Sequence, residues 1–344
     1  MKNAPIKLAV VGLGMASKPH LGALAELRGQ VEISGVHNRS PERAQAVAEE
    51  IGVRRFAGIE EIAADPGTDG VILMTPPDQR IEIVRTLAGA GKHILTEKPV
   101  ERSSAAARDI VEICEARGVH LGVVFQHRFR AGAKRLKALI GNGDLGALSL
   151  VRAEIPWWRD QAYYDVPGRG SYARDGGGVL ISQAIHVLDF MLSLTGPAAA
   201  VQSFCATTRA HRMEAEDFCA AGVTFESGAV GAIVATTATY PGGPESLVID
   251  GTLGTAELKA GQLKVAWRDG REDELGEVSG SGGGADPMAF PHDWHRDLIA
   301  DFAEAIAGDR PPAVTGREAL RVHAMIDALV ASSREGHRVD VAVT

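Results

Sequence analysis

Two side chains are best suited to chemistry: Lys98, in TEKPV (residues 96–100), and His186, in GGGVLISQAIHVLD (residues 176–189). Lys98 ends a predicted strand. An ammonium there donates to a hydroxyl or carbonyl oxygen and stabilises charge that develops on it. Pro99 stiffens the turn that aims it and permits a cis bond. Glu97 is placed to pair with a basic group or to accept from a hydroxyl. His186 stands in an apolar predicted helix whose strongly polar members are Ser182, Gln183, His186 and Asp189. An imidazole titrates near neutrality, which suits a base that takes a hydroxyl proton. Spacings of three and four put Ser182, Gln183 and His186 on one side of a helix. Asp189, one turn on, is placed to orient the imidazole or to fix the helix. A lone histidine in an apolar helix is more often a satisfied core residue. The company of Lys98 and of a dinucleotide loop reverses that reading.

That loop is VVGLGMAS, residues 10–17, which follows the first predicted strand and opens the first helix. Gly12 allows a tight turn, and Gly14 lets backbone approach a pyrophosphate at a helix N-terminus. Met15 and Ala16 continue the loop, and Ser17 replaces a third glycine. A lone GxG is weak, but its place between strand and helix makes it a cofactor site. The second strand ends in VHNRS, without the carboxylate that would hold an adenosine ribose. Asn38 suits a 2′-hydroxyl; Arg39 suits a 2′-phosphate or stacking on adenine. NAD and NADP both stay open, with the balance toward NADP. Thr75 and Pro76 end a later strand and would wall the nicotinamide side. Glu97 and Lys98 complete the cofactor set.

These residues need a scaffold, and the pattern supplies one. Predicted strands at Lys7–Val11, Val31–Val36, Arg55–Ala57, Gly70–Thr75, His93–Thr96 and His120–Phe125 are separated by helix-length runs, which implies βαβ units and a parallel sheet. After residue 126 the rhythm changes. A helix (Gly132–Ile140) and a strand (Leu148–Ile155) precede a polar, aromatic loop (Pro156–Asp175). Six strands follow the GGG stretch between residues 201 and 267, with short turns and no helices, so they form a mainly antiparallel sheet. SGSGGGADP, residues 279–287, reads as a loop, and helices near His292–Ala307 and Gly316–Arg334 finish the chain. The fold class is α/β: a Rossmann domain over 1–125, then an α+β domain with a large open sheet over 126–344. The last helices are free to pack back on the first domain.

In combination and order, GLGMASKPH, TPP, EKP and GGGVLISQAIHVLD resemble the glucose–fructose oxidoreductase / inositol dehydrogenase / rhizopine-catabolism (Gfo/Idh/MocA) family over essentially the whole chain. The resemblance implies a Rossmann domain and a C-terminal domain whose open sheet often makes the oligomer interface, here of a homodimer or homotetramer. It implies oxidation or reduction of secondary alcohol carbons of sugars, inositols or related compounds with NAD(P). It assigns the catalytic roles to Lys98 and His186. Many members place Asp four residues before that His; here Ser182 stands there. Serine bonds a hydroxyl but is no carboxylate base, which throws acid–base work onto His186 and Lys98. SQAIH looks closer to members acting on modified sugars, nucleotide sugars or glycosides. Many relatives also have Trp where this chain has Gly168.

In the loop at residues 156–178, Trp157, Arg159, Tyr163, Tyr164 and Arg169 are candidates for the substrate wall, since aromatic faces pack on sugar C–H surfaces and Arg and Tyr donate to hydroxyls. An aromatic core patch explains any one of them equally well. His292, Asp293 and His295 open a late helix, where capping and exposure explain them as well as reach into a cleft.

The 344 residues are 45% hydrophobic and 23% charged, ordinary for two globular domains. The formal net charge of −8 argues against nucleic acid or an anionic membrane as partner. No signal-peptide pattern or membrane-length apolar run is present. Three well-spaced cysteines read as free thiols in a reducing cytoplasm, and no clustered ligand motif calls for a metal. Three functions fit: a sugar or polyol dehydrogenase, an NAD-dependent enzyme that cleaves glycosides without net redox change, or a non-catalytic sugar or nucleotide sensor. The intact EKP and His argue against the last.

Overall fold

The computed structural model of the protein describes residues 4–277, 283–284 and 291–342. The chain forms two compact units, Met1–Val124 with His292–Ala319, and Phe125–Pro291 with Leu320–Thr344.

The first unit alternates β1 (Ile6–Val11), α1 (Ser17–Glu26), β2 (Val31–His37), α2 (Pro41–Ile51), α3 (Ile59–Ala64), β3 (Gly70–Leu73), α4 (Arg80–Gly89), β4 (His93–Thr96), α5 (Ser104–Ala116) and β5 (Leu121–Val123). The five strands form one parallel sheet in the order β2-β1-β3-β4-β5. Leu8–Val11, Val71–Leu73 and Ile94–Leu95 are buried, as strands covered on both faces must be. The order reverses between β1 and β3, so the crevice beyond their carboxyl ends is where such sheets take ligands. Local signals fix the helices. Ser40 caps α2 by accepting from Arg43 N–H, Pro41 takes its first position, and Gly52 ends it in the left-handed region. The predicted strand at Arg55–Ala57 is only a single bridge from Arg55 to Val36. Gly58 caps α3 directly behind it, leaving no length for a ladder.

The second unit opens with a 3-10 turn at Gln126–Phe129 and α6 (Ala131–Gly141), β6 (Leu148–Pro156) and α7 (Gln161–Tyr164). A π-helical turn at Leu180–Ala184 runs into α8 (Ile185–Thr195). Then come β7 (Ala198–Ala206), β8 (Phe218–Phe225), β9 (Val230–Thr236), β10 (Ser246–Gly251), β11 (Gly254–Lys259), β12 (Gln262–Trp267) and β13 (Glu272–Leu275). The chain closes with α9 (Asp293–Gly308), which belongs to the first unit and packs on α1, then α10 (Gly316–Glu335) and β14 (Val339–Asp340). Among the described residues the second unit's sheet has nine strands in the order β13-β12-β11-β10-β6-β9-β8-β7-β14. Every pair is antiparallel except β6–β9. Nearly every residue of α8 is buried, which explains why it is apolar all round. Most of the expected loop at 279–287 lies outside the described residues. Among the described residues no helix is long and apolar enough to cross a membrane.

Candidate active site

In the first unit the glycine turn is locked from three sides. Gly12 has φ +92°, and a Cβ there would stand 2.8 Å from the Met74 carbonyl carbon, so only glycine fits. Leu13 N–H donates to Asn38 Oδ1 at 3.0 Å, and Arg43 Nε donates to Leu13 O at 3.2 Å. The Asn38 carbonyl is therefore engaged with the turn itself, while Arg39 is exposed. Ser17 Oγ donates to Gly14 O at 2.7 Å, which explains why a hydroxyl replaces the third glycine. Above Gly14 the space is open: none of the described residues lies within 4 Å of where its Cβ would stand, and Met15 is exposed. Ala16 sits at the N-cap of α1. Among the described residues Thr75 Oγ1 is buried with no hydrogen-bond partner, and such a group normally has one. Open ground at a helix N-terminus and an unpartnered hydroxyl at the β3 end both fit a dinucleotide. Pro76, half-buried, follows that hydroxyl.

The Lys98 turn is held from beneath. The Arg80 guanidinium is fully buried and donates to Thr75 O from Nε (3.0 Å) and Nη2 (2.7 Å), and from Nη1 to Glu97 O and Pro99 O. It thus staples the turn after β3 to the turn after β4. Burial pulls its pKa down to about 10, although the Glu97 and Glu101 charges oppose this. The Lys98–Pro99 bond is cis and Lys98 is half-buried. The Glu97 side chain turns inward, bonding His20 Nε2 at 2.8 Å and Lys98 N–H at 3.1 Å. His295, on α9, is buried edge-on to the His20 ring, with centroids 4.8 Å apart. Burial, and then His20, push His295 down to about 3. His292 pairs instead with Glu26 at 2.7 Å, and Asp293 with Arg296 at 2.9 Å. The donor atoms of His20, Glu97 and His295 all lie within 4.8 Å of one another, a grouping invisible in the sequence.

Burial works against the Glu97 charge, but the His20 hydrogen bond, together with the electrostatic effect of His20, His295 and Lys98, outweighs it and holds the carboxyl at about 2. A carboxyl depressed in the fold contributes stability above its ordinary value of 4.5 and loses it as pH falls through about 2. Glu97→Gln is therefore expected to flatten the fall in urea midpoint between those pH values. An unchanged acid slope would show that Glu97 does not carry this term.

In the second unit the glycine run fits the chain onto Glu216. A Cβ on Gly178 would stand 1.8 Å from the Glu216 carbonyl oxygen. The Glu216 carboxylate accepts from Gly178 N–H (3.2 Å) and Leu180 N–H (3.1 Å), and Val179 N–H donates to Glu216 O at 2.8 Å. A carboxylate thus satisfies N–H groups that a helix start leaves orphaned. Burial raises the Glu216 carboxyl, with those N–H bonds opposing. Because the next turn is π-helical, residues four apart across it do not follow simple α spacing. Ser182 is half-buried, whereas Gln183 and His186 are buried. His186 stacks on His127 with centroids 4.9 Å apart and meets Phe125 edge-on at 6.1 Å. His127 Nε2 lies 2.8 Å from Arg130 Nη2, and since a guanidinium only donates, that nitrogen accepts. Arg130 pairs with Glu245, which also accepts from Trp157 Nε1 at 3.4 Å. Asp189 is gripped by Arg128 through two bonds of 2.7 Å, so it fixes the helix.

The loop candidates separate. Arg169 donates to Tyr163 Oη at 2.6 Å and lies 4.3 Å over its ring; Gln183 Nε2 reaches the same oxygen at 3.4 Å. Tyr163 and Arg169 are half-exposed. Trp157, Arg159 and Tyr164 turn inward. Arg159 donates to Trp158 O and Gly284 O, each at 2.7 Å. Tyr164 Oη bonds Thr237 Oγ1 at 2.6 Å, and burial raises its phenol.

Residues 6–125 match the oxidoreductase family with NAD-binding Rossmann fold, and residues 133–257 match the GFO/IDH/MocA C-terminal domain. The WlbA dehydrogenase from Bordetella pertussis, solved in complex with NADH and UDP-GlcNAcA, is 31% identical, with a TM-score of 0.84 over 99% of this chain and 100% of that one. The chain belongs to the Gfo/Idh/MocA family. It is an NAD(P)-dependent oxidoreductase. The D-apiose dehydrogenase of Rhizobium rhizogenes is 24% identical over 99% of both chains. A levoglucosan dehydrogenase solved with NADH shares the fold, with a TM-score of 0.87 at 23% identity over 99% of this chain and 100% of that one.

Sequence reasoning in this Gfo/Idh/MocA chain missed Arg80, His20, Arg128, His127 and Glu216, the groups that hold the candidate residues in place. The partners of His20, Arg128 and Glu216 lie 77, 61 and 38 residues away in the chain, so no local pattern marks them.

Proposed function

We propose that the protein transfers a hydride between nicotinamide and a secondary alcohol carbon of a sugar, sugar derivative or cyclic polyol. The observation that carries this reading is the polar cluster of the second unit. Arg169 and Gln183 both donate to the Tyr163 phenol oxygen, in the unit that also holds Ser182 and His186. An aromatic face with fixed donors suits a hydroxyl-rich ring. The names of the relatives, WlbA with UDP-GlcNAcA and D-apiose dehydrogenase, agree with that class.

The nicotinamide, when bound, supplies the hydride acceptor. His186 takes the proton of the hydroxyl being oxidised, and Lys98 donates to the same oxygen and stabilises its charge. Ser182 bonds a neighbouring hydroxyl without acting as a base. Arg39 and Arg43, both exposed beyond β2, support NADP as the preferred dinucleotide. A second copy of the chain suits the open sheet face. There Phe204, Ala220 and Val234 stand in register across β7, β8 and β9, with Phe204 64% exposed.

The test is reduced-nicotinamide absorbance with NAD or NADP against monosaccharides, inositols, anhydrosugars, glycosides and nucleotide sugars. A rise with one class supports the dehydrogenase and names its substrate family. Product released from a glycoside with no rise would replace it by redox-neutral cleavage. Tight dinucleotide binding without turnover on any of them would favour the sensor.

A further inference from the structure

We infer that Cys205 and Cys219 form a dithiol that a hydroperoxide converts to an intrachain disulfide. The two residues are register partners in the antiparallel pair β7–β8, so their side chains share a face. The surrounding hydrogen bonds say which kind of pair this is. Cys205 N–H donates to Ser333 Oγ at 2.7 Å and Ser203 N–H to Ser332 Oγ at 3.1 Å, both on α10. On the same side Val341 N–H reaches Ala199 O at 2.9 Å, and Val201 pairs with Val339 of β14. Residues 199, 201, 203 and 205 thus direct their backbone polar groups away from β8. Cys205 and Cys219 are therefore a non-hydrogen-bonded pair. Such pairs have Cα atoms roughly 4.5 Å apart and the closest side chains. That separation falls within the ~4.4–6.8 Å that a disulfide spans.

The two thiols differ in a useful way. Cys205 is half-exposed and Cys219 is buried. The hydrogen bond between them lowers the Cys205 thiol, against the effect of burial, and raises Cys219 together with burial. Cys205 is then the attacking thiolate and Cys219 the resolving thiol. The Cys205 sulfur attacks a peroxide oxygen, breaking the O–O bond and giving a sulfenic acid and one water or alcohol. The Cys219 sulfur attacks that sulfenic sulfur, the S–S bond forms, and a second water leaves. Two thiols are oxidised by two electrons and one peroxide is reduced. Disulfides that form transiently inside cells are commonly redox-sensing. This one would close just beyond Glu216, which holds the glycine run, and Asp217. Asp217 bonds His211 Nδ1 at 2.7 Å, and His211 Nε2 in turn holds Arg159 O at 2.8 Å.

The test uses the full chain treated with hydrogen peroxide, then alkylated in denaturant and analysed by intact mass and peptide mapping. The expected product is two hydrogen atoms lighter and keeps one of the three thiols alkylatable. Its Cys205 and Cys219 peptides are joined, and dithiothreitol reverses the change. Cys219→Ala should stop at a Cys205 sulfenic acid that dimedone captures, while Cys205→Ser should give neither product. Three alkylatable thiols after peroxide, overoxidised Cys205 beside free Cys219, or a disulfide between two chains would each overturn the inference.

Discussion

His186→Ala is expected to lower turnover on the true substrate by roughly a hundredfold or more, with dinucleotide affinity little changed. The glycine turn and Thr75 belong to the first unit, whereas His186 sits in the second among Phe125, His127 and the start of α8. Removing the imidazole leaves the dinucleotide ground intact and removes the proposed proton acceptor. Lys98→Ala is expected to fall as far, because the alcohol oxygen then develops its charge without a cation. The check is steady-state kinetics beside dinucleotide titration. Normal turnover in both variants would sink the assignment, and lost dinucleotide affinity in His186→Ala would show a structural role instead.

The second large effect concerns stability. The Arg128 and Asp189 side chains are 8% and 2% exposed and share two hydrogen bonds. Breaking a buried pair from one side strands the other charge, at a cost of about 3–5 kcal/mol. Asp189→Ala and Arg128→Ala are each expected to lower the unfolding free energy by about that much, read from urea denaturation. Replacing both together, as Arg128→Met with Asp189→Leu, should cost clearly less than either single change, because no charge is left unpaired. Single variants that lose less than about 1 kcal/mol would place the pair with weak surface bridges.

The elements that were legible were those whose signal is local. The Rossmann strands read as apolar runs between helix-length runs, and the glycine turn read from its place between strand and helix. β13 did not, because EDEL is acidic at three of its four positions and exposed throughout, without alternation. β14 has two residues and exists only through its pairing with β7. The π turn at Leu180–Ala184 was equally hidden, since α and π turns share the same apolar residues.

For the site, the sequence by itself determined the residue types available for chemistry: the glycine turn, Lys98 before a proline, and His186 in an apolar helix. Only the tertiary structure decided what each of them touches. It gave Asn38 to the glycine turn, Glu97 to His20, Asp189 to Arg128, and the glycine run to the Glu216 backbone. It also divided the aromatic loop, turning Trp157, Arg159 and Tyr164 inward and leaving Tyr163 and Arg169 half-exposed. The physical reason is the range of the interactions. Propensity, capping and periodicity act within a few residues, whereas a buried charge must find its partner wherever packing brings one, here 77 residues away for Glu97 and 61 for Asp189.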